Sequence, residues 1–151
     1  MHIQEIILAA AIILSALMSG FFFAYTFSVN RGLHKLQDKA YLSAMQNINR
    51  AVLNPVFYIC FLGTLILLII ASLMYFDPRS PKFYLIFTAC VGYAVGVFFI
   101  TGARNVPLNN QLDTFDIANA SETSLKNIRR SYERPWNTWN VNRQQKVDMI
   151  I

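Results

Sequence analysis

Three stretches of this chain carry no charged residue and are long enough to cross a lipid bilayer. They span residues 6–29, 55–76 and 83–103, with 24, 22 and 21 residues respectively. An α-helix rises about 1.5 Å per residue, so roughly 20 residues cross a hydrocarbon core about 30 Å thick. Backbone N–H and C=O groups inside lipid must pair within the segment, which makes helices the expected form. The reading is therefore an all-α integral membrane helical bundle with three clear transmembrane helices. Composition agrees, with 55% hydrophobic and 14% charged residues and a mean hydropathy of +0.38. The first run is preceded by Glu5 in place of the basic segment that opens a secretory signal, so it is read as a retained span.

The charges lie between the runs. The loop after the first run holds Arg31, Lys35, Lys39 and Arg50, and seven more Lys and Arg residues follow from Arg104 onward. The link 77–82 holds only Arg79 and Lys82. Eleven against two places the N-terminus outside, with the first loop and the C-terminal part in the cytoplasm. The expected location is a cell membrane, a bacterial inner membrane by preference. The net charge of +5 follows from this asymmetry, and no nucleic-acid partner is expected.

The chain is read as a single domain, 1–151. Its cytoplasmic side is expected to carry helices over about 36–54, 120–133 and 135–151. Pro55 marks a kink or a fresh start. Asn119 followed by Glu122 has capping-box spacing. Pro135 suits the first position of a new helix, and Pro107 is expected to block regular helix and free carbonyls upstream of it. Gly20, Gly63, Gly92 and Gly96 are expected to serve helix packing. Cys60 and Cys90 fall in apolar runs without metal-ligand spacing and read as small core residues.

The polar residues near these helix ends are more informative. Asn47, Arg50 and Asn54 share one helical face by their spacing, as do Trp136, Trp139, Asn140 and Arg143. Asn105, Asn109 and Asn110 follow the third run directly. An amide without a partner among apolar helices costs several kcal/mol, so such groups gather where they satisfy one another or hold a ligand. A polar pocket at the cytoplasmic end of the bundle is expected from these ten residues. The plainer alternative is that they cap helices, snorkel and mark the interfacial belt. Two histidines, His2 and His34, fall on opposite sides and are too few for haem or zinc chemistry. No phosphate loop or nucleophile elbow is present. Neither a metal nor a cofactor is expected.

Five stretches carry a family resemblance: GFFFAYTFSV, AMQNINRAVLNPVF, FLGT, TGARNVPLNN and YERPWNTWNVNR. In this order they resemble the anthrone oxygenase-like family of small integral membrane proteins. The resemblance implies a four-helix transmembrane bundle, although here the fourth span is short or missing after WNVNR. It also implies oxidation of anthrones by molecular oxygen in some members, with most bacterial members having no assigned function. Three functions stay open. One is a non-catalytic binding or assembly role, with a quinone, lipid or hydrophobic aromatic molecule in the pocket. Another is a cofactor-independent oxygenase of a hydrophobic phenolic substrate. A small-solute permease or channel subunit, built as a homo-oligomer, is the third.

Overall fold

The computed structural model describes residues 2–148, with side chains as far as residue 141. Five helices follow one another: α1 Ile3–His34, α2 Asp38–Val52, α3 Pro55–Met74, α4 Pro81–Asp113 and α5 Glu122–Asp148. Three of them, α1, α3 and α4, are long and apolar enough to cross a membrane. The chain is an all-α bundle of membrane type.

Two of these helices outrun the bilayer. At 32 and 33 residues, α1 and α4 reach nearly 50 Å, against a hydrocarbon core of about 30 Å. Their surplus turns stand at the end of the bundle that also carries α2 and the start of α5. Two apolar cores result. One lies among the long helices and contains Ala11, Met18, Phe22, Phe61, Leu68, Tyr93 and Val97. The other gathers Tyr41, Leu42, Met45, Leu112, Ile117, Leu125, Tyr132 and Trp136 into a helical cap. Hydroxyls in the first core bond to carbonyls, as Thr64 does to Cys60, Ser72 to Leu68 and Tyr93 to Phe61. Apolar surroundings leave them no water to bond instead.

Helix α5 corrects the expected pair of helices. It runs through Pro135 without a break and packs along α1 and along the wide turns of α4. Its polar sequence keeps it below the threshold for a span, yet it forms the fourth member of the bundle. Thr138 Oγ1 bonds the carbonyl of Arg134 at 2.9 Å in the turn after the proline. Helix α4 likewise passes through Pro107. A π-helical turn at Thr101–Asn105 widens the backbone just before it, and Pro107 then falls in the first turn of the α-helical segment Val106–Asp113. There a missing N–H costs little. Similar wide turns occur at Tyr25–Val29 and Ala94–Phe99.

Smaller expectations are also revised. Ser121, not Asn119, caps α5, accepting the Ser124 N–H at 3.3 Å. Asn119 instead bonds Asp116 through its backbone and its side chain. Pro55 makes a fresh helix start, with Asn54 as its cap. A methyl group at Gly63 would meet Leu14 at 3.1 Å, so that glycine is a packing residue, whereas Gly20 faces open space.

Candidate functional site

The cap and the bundle meet at a chain of hydrogen bonds drawn from three helices. Asn49 of α2 is buried and donates Nδ2–H to the Tyr132 hydroxyl at 3.0 Å. Tyr132 of α5 donates its O–H to Asn109 Oδ1 of α4 at 3.1 Å. Trp136, one turn along α5, donates Nε1–H to the same oxygen at 2.9 Å. An indole nitrogen can only donate, so the atom of Asn109 facing it must be the oxygen. That fixes the amide orientation, which such a contact would otherwise leave ambiguous. The Asn109 Nδ2–H₂ group is thereby turned away from both donors. Each bond polarises the next, which makes that amide a stronger donor than an isolated one.

One turn before Asn109 lies Asn105, 2% exposed. It sits in the π-helical turn, a feature that often marks functional positions. Asn140, two turns along α5 from Tyr132, is fully buried and donates to Thr26 Oγ1 at 3.0 Å. Thr26 itself belongs to the wide turn of α1. The wide turn of α1 thus supplies one polar partner, and the α-helical segment after the wide turn of α4 supplies the other, to the α5 face that carries Tyr132, Trp136 and Asn140.

A cavity of about 160 Å³ opens beside this network, bordered by Asn49, Thr101, Asn105, Asn109 and Trp136. Its remaining walls are mostly aromatic and include Phe21, Phe57 and Phe61. Phe57 and Phe61 stack with centroids 5.4 Å apart, and Phe61 stacks on Phe98 at 5.6 Å. Tyr25 leans on Trp136 at 5.9 Å. A groove of about 530 Å³ between α1 and α3 shares Phe21, Tyr25, Ile48, Val52 and Phe57 with the cavity. The cavity alone is smaller than the usual small-molecule site of about 300–1,000 Å³. With the groove, a flat multi-ring molecule has room. Burial pushes the Tyr132 hydroxyl well above the ordinary phenol range, so it is a donor here and not a base.

Of the ten residues expected at a pocket, Asn105, Asn109, Trp136 and Asn140 converge on this region. The others do not. Asn47 is exposed and faces the 113–118 loop. Arg50 is exposed and paired with Asp113 at 2.6 Å. Asn54 accepts the Phe57 N–H at 3.0 Å and donates to the Ala51 carbonyl at 2.8 Å, both as a helix cap. Asn110 is exposed. Trp139 is half-buried beneath Arg104, whose guanidinium lies 4.8 Å from the ring centre. The Arg143 side chain lies outside the described residues. The face of α2 that turns inward carries Tyr41, Leu42, Met45 and Asn49, so residues 47 and 50 point outward. Asn49 and Tyr132 were legible by another signal: each is a polar group on an apolar helical stripe, where burial demands a partner.

These features define a small membrane-type helical protein with an amide-lined aromatic cavity where its cap meets its bundle. The chain belongs to the anthrone oxygenase family, whose model matches residues 55–144. That match covers Asn105, Asn109, Tyr132, Trp136 and Asn140, while α1 and α2 fall outside it. No curated protein and no solved structure matches the chain.

Proposed function

We propose that the chain is an oxygenase of a flat, hydrophobic aryl ketone of the anthrone class, acting in the cavity between Asn109 and Phe57. The orientation of the Asn109 amide carries this reading. Its oxygen is occupied by two donors, which leaves its N–H groups to meet the carbonyl oxygen of a guest. Such a ketone loses a proton from the ring carbon opposite its carbonyl, and the charge settles on oxygen as an enolate. Donors placed at that oxygen stabilise the charge as it develops.

The electrons then come from the substrate itself. The enolate passes one electron to O₂, and the resulting pair of radicals joins to form a C–O bond at the opposite ring carbon. Protonation gives a hydroperoxide. Loss of the second hydrogen on that carbon, with cleavage of O–O, releases water and leaves a second carbonyl. One anthrone and one O₂ give one anthraquinone and one water. Asn109 and Asn105 hold the oxyanion, the phenylalanine rings and Trp136 flank the ring system, and the protons leave to water.

The assay is oxygen uptake with anthrone by the protein in lipid nanodiscs, with quinone absorbance read in parallel. Turnover above that of empty discs is expected. No rate above the lipid background would refute the proposal. A second reading, a non-catalytic lock that holds the cap to the bundle, is favoured by one observation. Among the described residues no carboxylate or imidazole borders the cavity, so no side chain there serves as a strong base. Under that reading, substitutions in the network lower the melting temperature while anthrone leaves the protein unchanged.

A further inference from the structure

A second groove, of about 670 Å³, lies between the cap end of α1 and the outer face of α5, and includes His34, Arg130, Glu133, Arg134, Asn137 and Thr138 in its lining. The cavity described above does not use it. Lys126, Arg130 and Arg134 follow at intervals of four along α5 and form one basic stripe. All three are exposed, and among the described residues neither Arg130 nor Arg134 has an acidic partner.

The carboxylate in the groove is already engaged. Glu133 binds His34 at 2.8 Å and Arg129 at 2.7 Å. Arg31, one turn nearer the membrane on the same side of α1 as His34, rests over the Phe27 ring. Phe27 and Phe23 pack together, and both are exposed. The groove therefore has a cationic upper rim and an apolar continuation along α1, with Val141 at its lower end on α5.

Height along the bundle matters as well. Arg134 stands five residues above Trp139, a rise of about 7.5 Å. Arg104 marks where α4 leaves its apolar run, and Trp139 of α5 lies beneath it at the same height. The polar headgroup layer is about 5–8 Å deep on each side of the core. The guanidinium of Arg134 thus falls at phosphate level, where a bidentate fork matches a phosphate diester.

We propose that this groove binds an anionic phospholipid, its phosphate held by Arg130 and Arg134 and an acyl chain lying along Val141 and the exposed phenylalanines of α1. The experiment uses the full chain in nanodiscs of phosphatidylcholine alone or mixed with phosphatidylglycerol, with native mass spectrometry counting retained lipids. The wild type is expected to retain phosphatidylglycerol in preference. R130Q/R134Q should weaken that preference about 30-fold, since each cation near an anionic surface contributes about a factor of five. Its melting temperature should not change, because both side chains are exposed. R50Q, which removes an exposed cation outside the groove, should leave the preference intact. Equal retention of the two lipids, or an unchanged preference in the double variant, overturns the proposal. Inorganic phosphate displacing the lipid at equal concentration also overturns it, since the site would then be one for a soluble anion.

Discussion

Replacing Asn109 with leucine keeps the branched side-chain skeleton and removes one oxygen that accepts two buried donors. Tyr132 is 2% exposed and Trp136 is 5% exposed, so neither reaches bulk water once its acceptor is gone. Each orphaned donor costs about 1–3 kcal/mol. Two donors would total about 2–6 kcal/mol; the neighbouring cavity is large enough to admit water, which places N109L in the lower half of that range, at about 2–4 kcal/mol. The assay is unfolding in detergent micelles followed by circular dichroism, with W136F and the double variant completing a thermodynamic cycle. A coupling of about 1 kcal/mol between the two positions is expected. If N109L stayed within about 0.5 kcal/mol of wild type, the hydrogen-bond chain would not hold the cap to the bundle. N109D separates the two roles of this amide. A carboxylate still accepts from Tyr132 and Trp136 but offers no N–H to a guest, so folding should persist while turnover of anthrone is lost by about 100-fold or more.

Three further outcomes follow from the same geometry. T26V removes the hydroxyl that accepts from the fully buried Asn140 amide and should lower stability by about 1–2 kcal/mol in the same melts. Arg129 holds the carbonyls of His34 and Leu36 at 2.8 and 2.7 Å and pairs with Asp38 and Glu133. R129M should therefore cost about 2–3 kcal/mol, a loss reduced by the partial exposure of Asp38, and should expose the α1–α2 connection to limited proteolysis. Burial raises the phenol pKa of Tyr41 and of Tyr132. The folded state then keeps protons that the unfolded chain releases above about pH 10. Stability should be full below that pH and fall as pH rises further, by about 1.4 kcal/mol per pH unit for each tyrosine, and Y41F should remove one tyrosine's share of that slope.

The long helices were legible because lipid leaves the backbone no alternative: runs of more than 20 uncharged residues admit one structure. The two prolines were harder to place. Pro135 and Pro107 each read as a helix boundary, yet tertiary packing carries both helices through. At Pro107 a wide turn absorbs the missing donor, and nothing in the sequence distinguishes a wide turn from a stop. Within the site, Asn109 and Trp136 could be read from position, since a polar side chain just beyond a span must be satisfied. Asn47 and Arg50 misled because regular spacing identifies a shared face without saying which way it points. The apolar stripe of Tyr41, Leu42 and Met45 answers that question, and it points Asn49 inward. The fourth helix escaped detection by hydropathy because its buried face is built from tyrosine, tryptophan and asparagine that bond Asn109 of α4 and Thr26 of α1.

The central claim is that a ring system lies against Trp136 with its oxygen on the Asn109 amide. The chain has two tryptophans, so W139F leaves Trp136 as the sole indole reporter at the cavity wall. Fluorescence of that variant in nanodiscs, titrated with anthraquinone, should quench and saturate, and N109A in the same background should shift the midpoint upward about tenfold, the loss of one hydrogen bond to a carbonyl. Quenching that rises without saturation, or an identical midpoint with N109A, would contradict the account.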